Sequence, residues 1–355
     1  MINSLNFISP ICQTGYGIAG TNLLVELDKQ LDLYTLPISK VQVVNPDFQQ
    51  IIQNSVNRDF IYDAPCLRLW HQHDLSQYIG KGLKAAFPIF ELNRFPDRIK
   101  HHLAYPDLLF VCSKWAQQII KKEIGRESVV TPLGVDTNIF YPMPNPTKDK
   151  QPNYVFFMGG KIEKRKGHDI LVDLFNKAFT KKDKVELWLL WHNPFLPPEE
   201  VKKWHDLYSS SKMGSQIHFV PPQQFHQQIA QIMNQIDCGL CFSRAEGWNL
   251  EALELMAMGK PVIVTNYSGH TEFCTKDNSF LIDIEDLEPA QDHIWFHGEG
   301  DWAEIGKNQE EQIIEYMRRC YKERPGNVEG IATAKQFSWK NTAKCIIEGI
   351  SKCHI

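Results

Sequence analysis

Two carboxylates, Glu246 and Glu254, lie eight positions apart in Ser243-Arg244-Ala245-Glu246-Gly247-Trp248-Asn249-Leu250-Glu251-Ala252-Leu253-Glu254. The pattern after Trp248 predicts a helix that Gly259 and Pro261 bring to a close. A helix starting near Trp248 sets its unpaired N–H groups and positive dipole end between the two acids, a favourable seat for a phosphate. Glu246 then stays in the loop, while Glu254 is carried roughly 9 Å along the axis at about 1.5 Å per residue. A ligand with sugar, diphosphate and ribose in series meets all three features, and a nucleotide sugar has that order. The alternative is an exposed helix start, where the dipole favours acids in any protein.

A second segment, Gly159-Gly160-Lys161-Ile162-Glu163-Lys164-Arg165-Lys166-Gly167, carries four cations in six residues between glycines that allow close backbone approach. Such a loop suits a diphosphate, because fixed cations offset the charge that builds on a departing nucleotide diphosphate. A solvated basic loop is the alternative. Gly15-Tyr16-Gly17-Ile18-Ala19-Gly20 is formally a dinucleotide-binding Gly-x-Gly-x-x-Gly. However, Pro10 to Thr14 separate it from the preceding strand, and Tyr34-Thr35-Leu36-Pro37 ends the second strand without a ribose-binding acid. A flexible glycine loop presenting its N–H groups to a ligand is therefore preferred to NAD binding. Trp70-His71-Gln72-His73-Asp74 follows a strand end, and either imidazole suits a sugar hydroxyl; as metal ligands the two histidines lack a located third partner. Ser268-Gly269-His270-Thr271-Glu272 forms another glycine turn after a strand, where Glu272 binds sugar hydroxyls or caps the next helix.

The elements that must position these residues alternate between short β-branched and aromatic runs and longer helical patterns, the signature of parallel sheets with crossover helices. Strands are predicted over Ser4–Ser9, Asp32–Leu36, Cys66–Trp70, Ala85–Phe90, Leu108–Cys112 and Ser128–Thr131. A second series covers Tyr154–Met158, Val185–Trp191, Gln216–Val220, Cys238–Phe242, Pro261–Thr265 and Ser279–Asp283. Between the two series, 141–152 is proline-rich and polar and reads as a linker. After Asp301 the pattern is wholly helical, ending in Ser338–Lys352 with Ser338 as N-cap. The fold class is α/β, with two doubly wound domains facing a cleft and C-terminal helices: a first domain over 1–145, a second over 146–330, and a C-terminal helix over 331–355.

Length and composition agree with this division. The 355 residues suit two domains, each able to bury a core. A hydrophobic fraction of 43%, 23% charged residues and a formal net charge of −4 describe a globular chain without the basic field that nucleic acid requires. The first ten residues lack a basic, apolar leader pattern and no run approaches the roughly 20 apolar residues of a membrane span, so a cytoplasmic protein is expected. Nine cysteines at scattered spacings read as reduced thiols, and Cys238 with Cys241 as a buried strand rather than a metal or redox pair. Arg94, Arg98, Lys100, His101 and His102 read as a solvated helix face, with weak peripheral contact at the inner face of a membrane as the alternative.

Taken together these residues resemble the retaining, nucleotide-sugar-dependent glycosyltransferases of family 4, also called group 1, which have the GT-B fold of two Rossmann-like domains. The resemblance spans nearly the whole chain and implies an acceptor-side domain over 1–145, a donor domain over 146–330 and a C-terminal helix around Trp339 that crosses back to the first domain. It rests on Gly160-Lys161 with Lys166-Gly167, on Glu246-Gly247 through Glu254 with Met256-Ala257-Met258-Gly259-Lys260-Pro261-Val262, on Ser268-Gly269, and on Pro132-Leu133-Gly134-Val135-Asp136 with Phe140 and Pro142. It implies that Lys161 and Lys166 bind the donor diphosphate, Glu246 contacts the transferred sugar, Glu254 holds the ribose, and the backbone at Asn249 and Leu250 meets the distal phosphate. It matches His73 to the family's first-domain histidine, with His71 second, and Gly15 and Gly17 to its early glycine pair. The catalytic residues implied are Glu246, Lys161, Lys166 and His73, and the donor-binding set is Gly15, Gly17, Gly160, Arg165, Trp248, Asn249, Leu250, Glu254 and Val220.

The chain departs from the family pattern in having Lys161 for the usual Arg, Trp248-Asn249 for an aromatic-Gly pair, and Glu251 where Pro is frequent. The expected reaction moves a sugar from a UDP- or GDP-sugar to a hydroxyl of a glycan, lipid-linked saccharide or small molecule. The resemblance implies retention by a front-face route in which the leaving phosphate takes the acceptor's proton; a covalent double displacement, which needs a carboxylate on the sugar's opposite face, is the alternative. No cofactor and no metal are expected, since no Asp-x-Asp lies in a suitable loop. A non-catalytic nucleotide-sugar-binding module and an NAD-linked oxidoreductase are the alternatives.

Overall fold

The computed structural model describes residues 2–144 and 153–353. Most of the expected linker, 145–152, lies outside the described residues. The chain divides into two compact units: unit 1 is Met1–Asp136, Gln224–Gln227 and Phe337–Ile355, and unit 2 is Thr137–Gln223 and Gln228–Gln336.

Unit 1 begins with β1 (Ser4–Ser9), α1 (Gly15–Asp28), β2 (Asp32–Pro37), α2 (Gln49–Asn57) and β3 (Cys66–Trp70). It continues with β4 (Lys84–Pro88), α3 (Asp97–Ala104), β5 (Leu108–Val111), α4 (Lys114–Ile124) and β6 (Val129–Val130). The strands form one parallel sheet in the order β2-β1-β3-β4-β5-β6. Phe7, Leu67, Leu69, Phe87 and Phe110 are fully buried on it, as expected for strands covered on both faces. Local signals fix the helices: Ser113 Oγ accepts from Ala116 N–H at 3.2 Å, and Gly125 at φ +68° ends α4.

Unit 2 carries β7 (Tyr154–Gly160), α5 (His168–Ala178), β8 (Val185–Trp191), α6 (Pro198–Ser209), β9 (Ile217–Val220), α7 (His226–Gln235, from its third residue on) and β10 (Cys238–Cys241). It then adds α8 (Leu250–Ala257), β11 (Val262–Thr265), β12 (Phe280–Ile282), β13 (Leu287–Gln291), β14 (His297–Ala303), α9 (Lys307–Glu323) and α10 (Val328–Ala334). Its parallel sheet runs β12-β11-β10-β7-β8-β9. Cys238 and Cys241 are buried free thiols on β10, and burial pushes both well above the ordinary thiol value.

One element differs from the sequence-based reading. β13 and β14 pair as an antiparallel hairpin, so the chain is not yet helical at Asp301. Its strands are polar and carry Pro289, Gly298 and Gly300, which hides them from a pattern of β-branched alternation. The hairpin is held instead by Asp292 Oδ1, which accepts the N–H groups of Ile294, Trp295 and Phe296 at 2.8–2.9 Å, and by Trp302, fully buried against Phe296.

The last helix, α11 (Trp339–Cys353), belongs to unit 1 and packs on α1. Ser338 is its N-cap as anticipated, with Oγ accepting from Asn341 N–H at 3.2 Å. No helix among the described residues is long and apolar enough to cross a membrane.

Candidate active site

In a doubly wound sheet the ligand-holding loops follow the two strands between which the strand order reverses. In unit 2 those strands are β7 and β10, and the two charged segments singled out above are the loops that leave them. The loop after β7 folds tightly. Gly160 sits at φ +95°, where a Cβ would come within 3.0 Å of Lys166 Cε, and Gly167 at φ +86° turns the chain from a single 3₁₀ turn over Lys164–Lys166 into α5.

Arg244 fastens the β10 loop to its neighbours. Its Nη1 and Nη2 donate to Asp169 Oδ1 and Oδ2 at 2.8 and 3.0 Å, its Nε donates to Glu288 of β13 at 2.7 Å, and its N–H donates to Arg165 O at 2.7 Å. Such a bidentate fork holds both loops at a fixed separation.

Between these loops lies a buried charge network around Glu246, which is 6% exposed. Lys166 Nζ and Ser243 Oγ donate to Glu246 Oε1 at 2.8 and 2.7 Å, and Arg165 Nη1 lies 3.1 Å from Oε2. Arg165 also pairs with Glu163 through Nη2 and donates from Nη1 to Ala245 O at 2.6 Å. Burial alone would raise the Glu246 carboxyl, but Arg165 and Lys166 outweigh it and hold the group well below the usual carboxylate range. Burial likewise favours a neutral Lys166, and Glu246 reverses that, so the ammonium is kept.

The network divides the anticipated residues. Glu246, Lys166 and Arg165 meet, with Gly160 beside Lys166. Lys161 is 40% exposed on its side chain, 3.5 Å from Glu163 and 5.9 Å above the Phe195 ring. Val220, half-buried at the end of β9, lies two strands from β7.

Helix α8 starts at Leu250, two residues after the predicted start, because Asn249 occupies the left-handed region at φ +81° and caps the helix, its Oδ1 accepting from Ala252 N–H at 3.1 Å. Leu250 and Glu251 supply the first N–H groups without an acceptor inside the helix. Trp248 is buried with its indole against Phe273, 4.9 Å between ring centres. Glu251 Oε1 accepts from Gly159 N–H at 2.9 Å, and burial raises its carboxyl against the pull of Lys166. Glu254, one turn on, is raised well above its ordinary value by burial and by Glu251. A small pocket at this point is bounded by Gly159, Lys166, Cys241, Ser243, Asn249 and Glu251.

The turn after β11 proves more involved than its glycine suggests. Ser268 Oγ accepts from Glu246 N–H at 2.8 Å, Gly269 N–H donates to Glu246 O at 2.9 Å, and His270 Nε2 lies 2.8 Å from Asn249 Nδ2. Glu163, Arg244 and His270 thus shape the site without having been assigned a role from sequence. A single charge or imidazole in a loop has no periodicity to mark it, and each acts here through a partner far along the chain.

In unit 1 the order reverses between β1 and β3, and the remaining anticipated residues stand at that point. Gly15 and Gly17 are not a flexible loop but the first turn of α1, which leaves no room at Gly17: a Cβ there would lie 2.4 Å from Cys12 O. Tyr16 packs on Trp70 and His71, whose ring stacks on His73 at 5.1 Å. Partial burial holds the His73 imidazole below its ordinary value against the pull of Asp74, and Arg98 and His102 act in the same direction as burial.

Residues 152–295 match the family described as Glycosyl transferases group 1. Over 217 residues the chain is 23% identical to mannosylfructose-phosphate synthase of Agrobacterium fabrum, covering 56% of this chain and 48% of that protein, so the match spans about half the length of that relative. Among solved structures, sucrose-phosphate synthase of Thermosynechococcus elongatus superposes with a TM-score of 0.72 at 14% identity, covering 99% of each chain. Anabaena HepE in complex with UDP-glucose superposes with a TM-score of 0.66 at 16% identity over 98% of this chain and 99% of that one. The two parallel six-stranded sheets with flanking helices are the GT-B fold, and residues 152–295 within it are similar to the group 1 glycosyltransferases.

Proposed function

We propose that the protein transfers a glycosyl group from a UDP- or GDP-sugar to an acceptor hydroxyl with retention at the anomeric carbon. The observation that carries this reading is the buried Glu246–Lys166–Arg165 cluster beside the start of α8, at the strand ends where this fold holds ligands. Breaking the bond between the anomeric carbon and the phosphate oxygen leaves an oxocarbenium-like sugar and a diphosphate with added charge. Lys166, Lys161 and the N–H groups of Leu250 and Glu251 are assigned to that charge, as preorganised donors that cost nothing to reorganise during reaction. Glu246 is ionised and already paired, so its role is to accept hydrogen bonds from the transferred sugar rather than to donate a proton. The acceptor's proton passes to the leaving phosphate oxygen as the new bond forms on the same face, which removes the need for a protein base. Glu254, held toward its neutral form, can both donate to and accept from ribose hydroxyls. His73, neutral near pH 7, is assigned to a hydroxyl contact in unit 1.

The UDP-glucose complex of HepE makes UDP-sugars the first donors to try. Incubation with a panel of UDP- and GDP-sugars and candidate glycan, lipid-linked and small-molecule acceptors, following release of nucleotide, tests the reading. Release is expected to persist in EDTA, because protein cations and the helix start take the role a divalent ion would have. A protein that binds NAD in titration calorimetry, or that retains turnover as Glu246→Ala, overturns it.

A further inference from the structure

The imidazole of His270 is fully buried in a five-residue 3₁₀ turn, Ser268–Glu272, that grips the Glu246–Asn249 loop from behind. Ser268 and Gly269 hold both backbone groups of Glu246, as described above. Gly269 can do so because it has no side chain: a Cβ would lie 2.4 Å from Gly247 O. His270 holds the other end of the loop. Its Nδ1 lies 3.0 Å from Thr265 O, which can only accept, so Nδ1 carries the proton and Nε2 is left as an acceptor. Asn249 Nδ2 donates to that acceptor at 2.8 Å, which orients Asn249 Oδ1 toward Ala252 N–H, the capping bond of α8. The amide therefore spans from an imidazole to the helix while its backbone sits at φ +81°, a region a non-glycine residue occupies at a cost. Burial pushes the His270 imidazole down to about 4, against the pull of Glu246, in keeping with a neutral ring.

We infer that His270 is a positioning residue for the donor diphosphate: acting through Asn249, it fixes the left-handed cap and so aims the first N–H groups of α8. This rests on the reading of α8 as the diphosphate seat. A glycine at 249 reaches φ +81° unaided; an asparagine there needs a partner for its amide, and His270 supplies it from a different strand end. The pairing is a device of this chain's two residues together, so its signature is coupling between them.

The test is a double-mutant cycle on the full chain with His270→Ala, Asn249→Gly and the combination, plus the conservative His270→Gln. His270→Ala is expected to weaken UDP or GDP binding by about tenfold in calorimetry and to raise donor KM more than it lowers kcat. In the Asn249→Gly background the same change is expected to cost less than about twofold. His270→Gln, which can accept from Asn249 and donate to Thr265, is expected to recover binding to within about threefold. Equal losses in both backgrounds, or no recovery by Gln, overturn the inference. A second readout needs no ligand: amide exchange over 246–252 should quicken in His270→Ala but not further in the double variant, and an unchanged rate also overturns it. If the unmodified protein binds neither nucleotide, the function proposed above fails on its own, while the exchange result still decides whether His270 sets the cap.

Discussion

At the scale of single residues, Glu246 is the group on which stability and the proposed chemistry meet. Its carboxylate faces Lys166 and Arg165 in a site almost closed to solvent, and removing one partner from such a cluster leaves buried charge uncompensated. Glu246→Gln is expected to cost about 3 kcal/mol at pH 7, the low end for breaking a buried pair because Arg165 keeps Glu163, and to reduce turnover about 100-fold or more. The pH dependence has a definite sign. A carboxyl depressed in the folded state stabilises the protein above its unfolded value of about 4.3 and loses that contribution as pH falls toward the folded value. Thermal melts of wild type and Glu246→Gln should therefore lie several degrees apart at pH 7 and draw together below about pH 4; a gap that stays constant would mean that Glu246 is not ionised in the folded protein. The acids and cations of this cluster were legible in the sequence as types. That Arg165 turns inward to Glu163 and Glu246 was not, because the loop conformation set by Gly160 and Gly167 decides which of four neighbouring cations faces the acid.

At the scale of elements, the strands were legible nearly to the residue. β1, β3 and β8 have the predicted bounds because each is a short apolar run cut off by polar or glycine-containing turns. The start of α8 was misplaced by two residues since capping by a left-handed asparagine leaves no mark in the apolar pattern, and the β13–β14 hairpin escaped notice because a side-chain turn and one buried tryptophan hold it. What unites these elements at the site is close approach of backbones between the β10 loop and the turn after β11. Gly269→Ala places a methyl group inside van der Waals contact with Gly247 O, and neither neighbour is a flexible side chain end that can yield. The loop must move by a fraction of an ångström, which at the proposed reacting centre is expected to lower kcat/KM about 100-fold while the far-ultraviolet circular dichroism stays that of wild type. Full activity in Gly269→Ala would show that the loop's position is not critical to the reaction.

At the scale of the whole molecule, the chain builds unit 1 from both of its ends. Gly134 sits so close to the start of α11 that a Cβ would lie 2.1 Å from Trp339 N, Gly349 meets the Phe110 ring of β5, and Ile2 N–H donates to Ser351 Oγ at 3.1 Å. Val135 N–H and Phe337 O pair at 3.1 Å, and Thr342 Oγ1 donates to Pro132 O at 2.7 Å, so the returning segment is bonded to unit 1 as well as packed on it. Ile346, Ile347 and Ile350 of α11 are buried there, and at about 1.5–3 kcal/mol for each such side chain they contribute about 5–9 kcal/mol, comparable with the whole stability of an ordinary domain. A chain ending before Ser338 is therefore expected to lose the fold of unit 1 although it retains every strand of that unit's sheet. Hydrogen exchange reads the outcome strand by strand: amides of β1, β3 and β5 should lose protection in the shortened chain, while those of β7, β10 and β11, whose unit lacks none of its own elements, keep theirs. If β1, β3 and β5 remain as protected as before, α11 is an accessory to unit 1 rather than one of its structural layers.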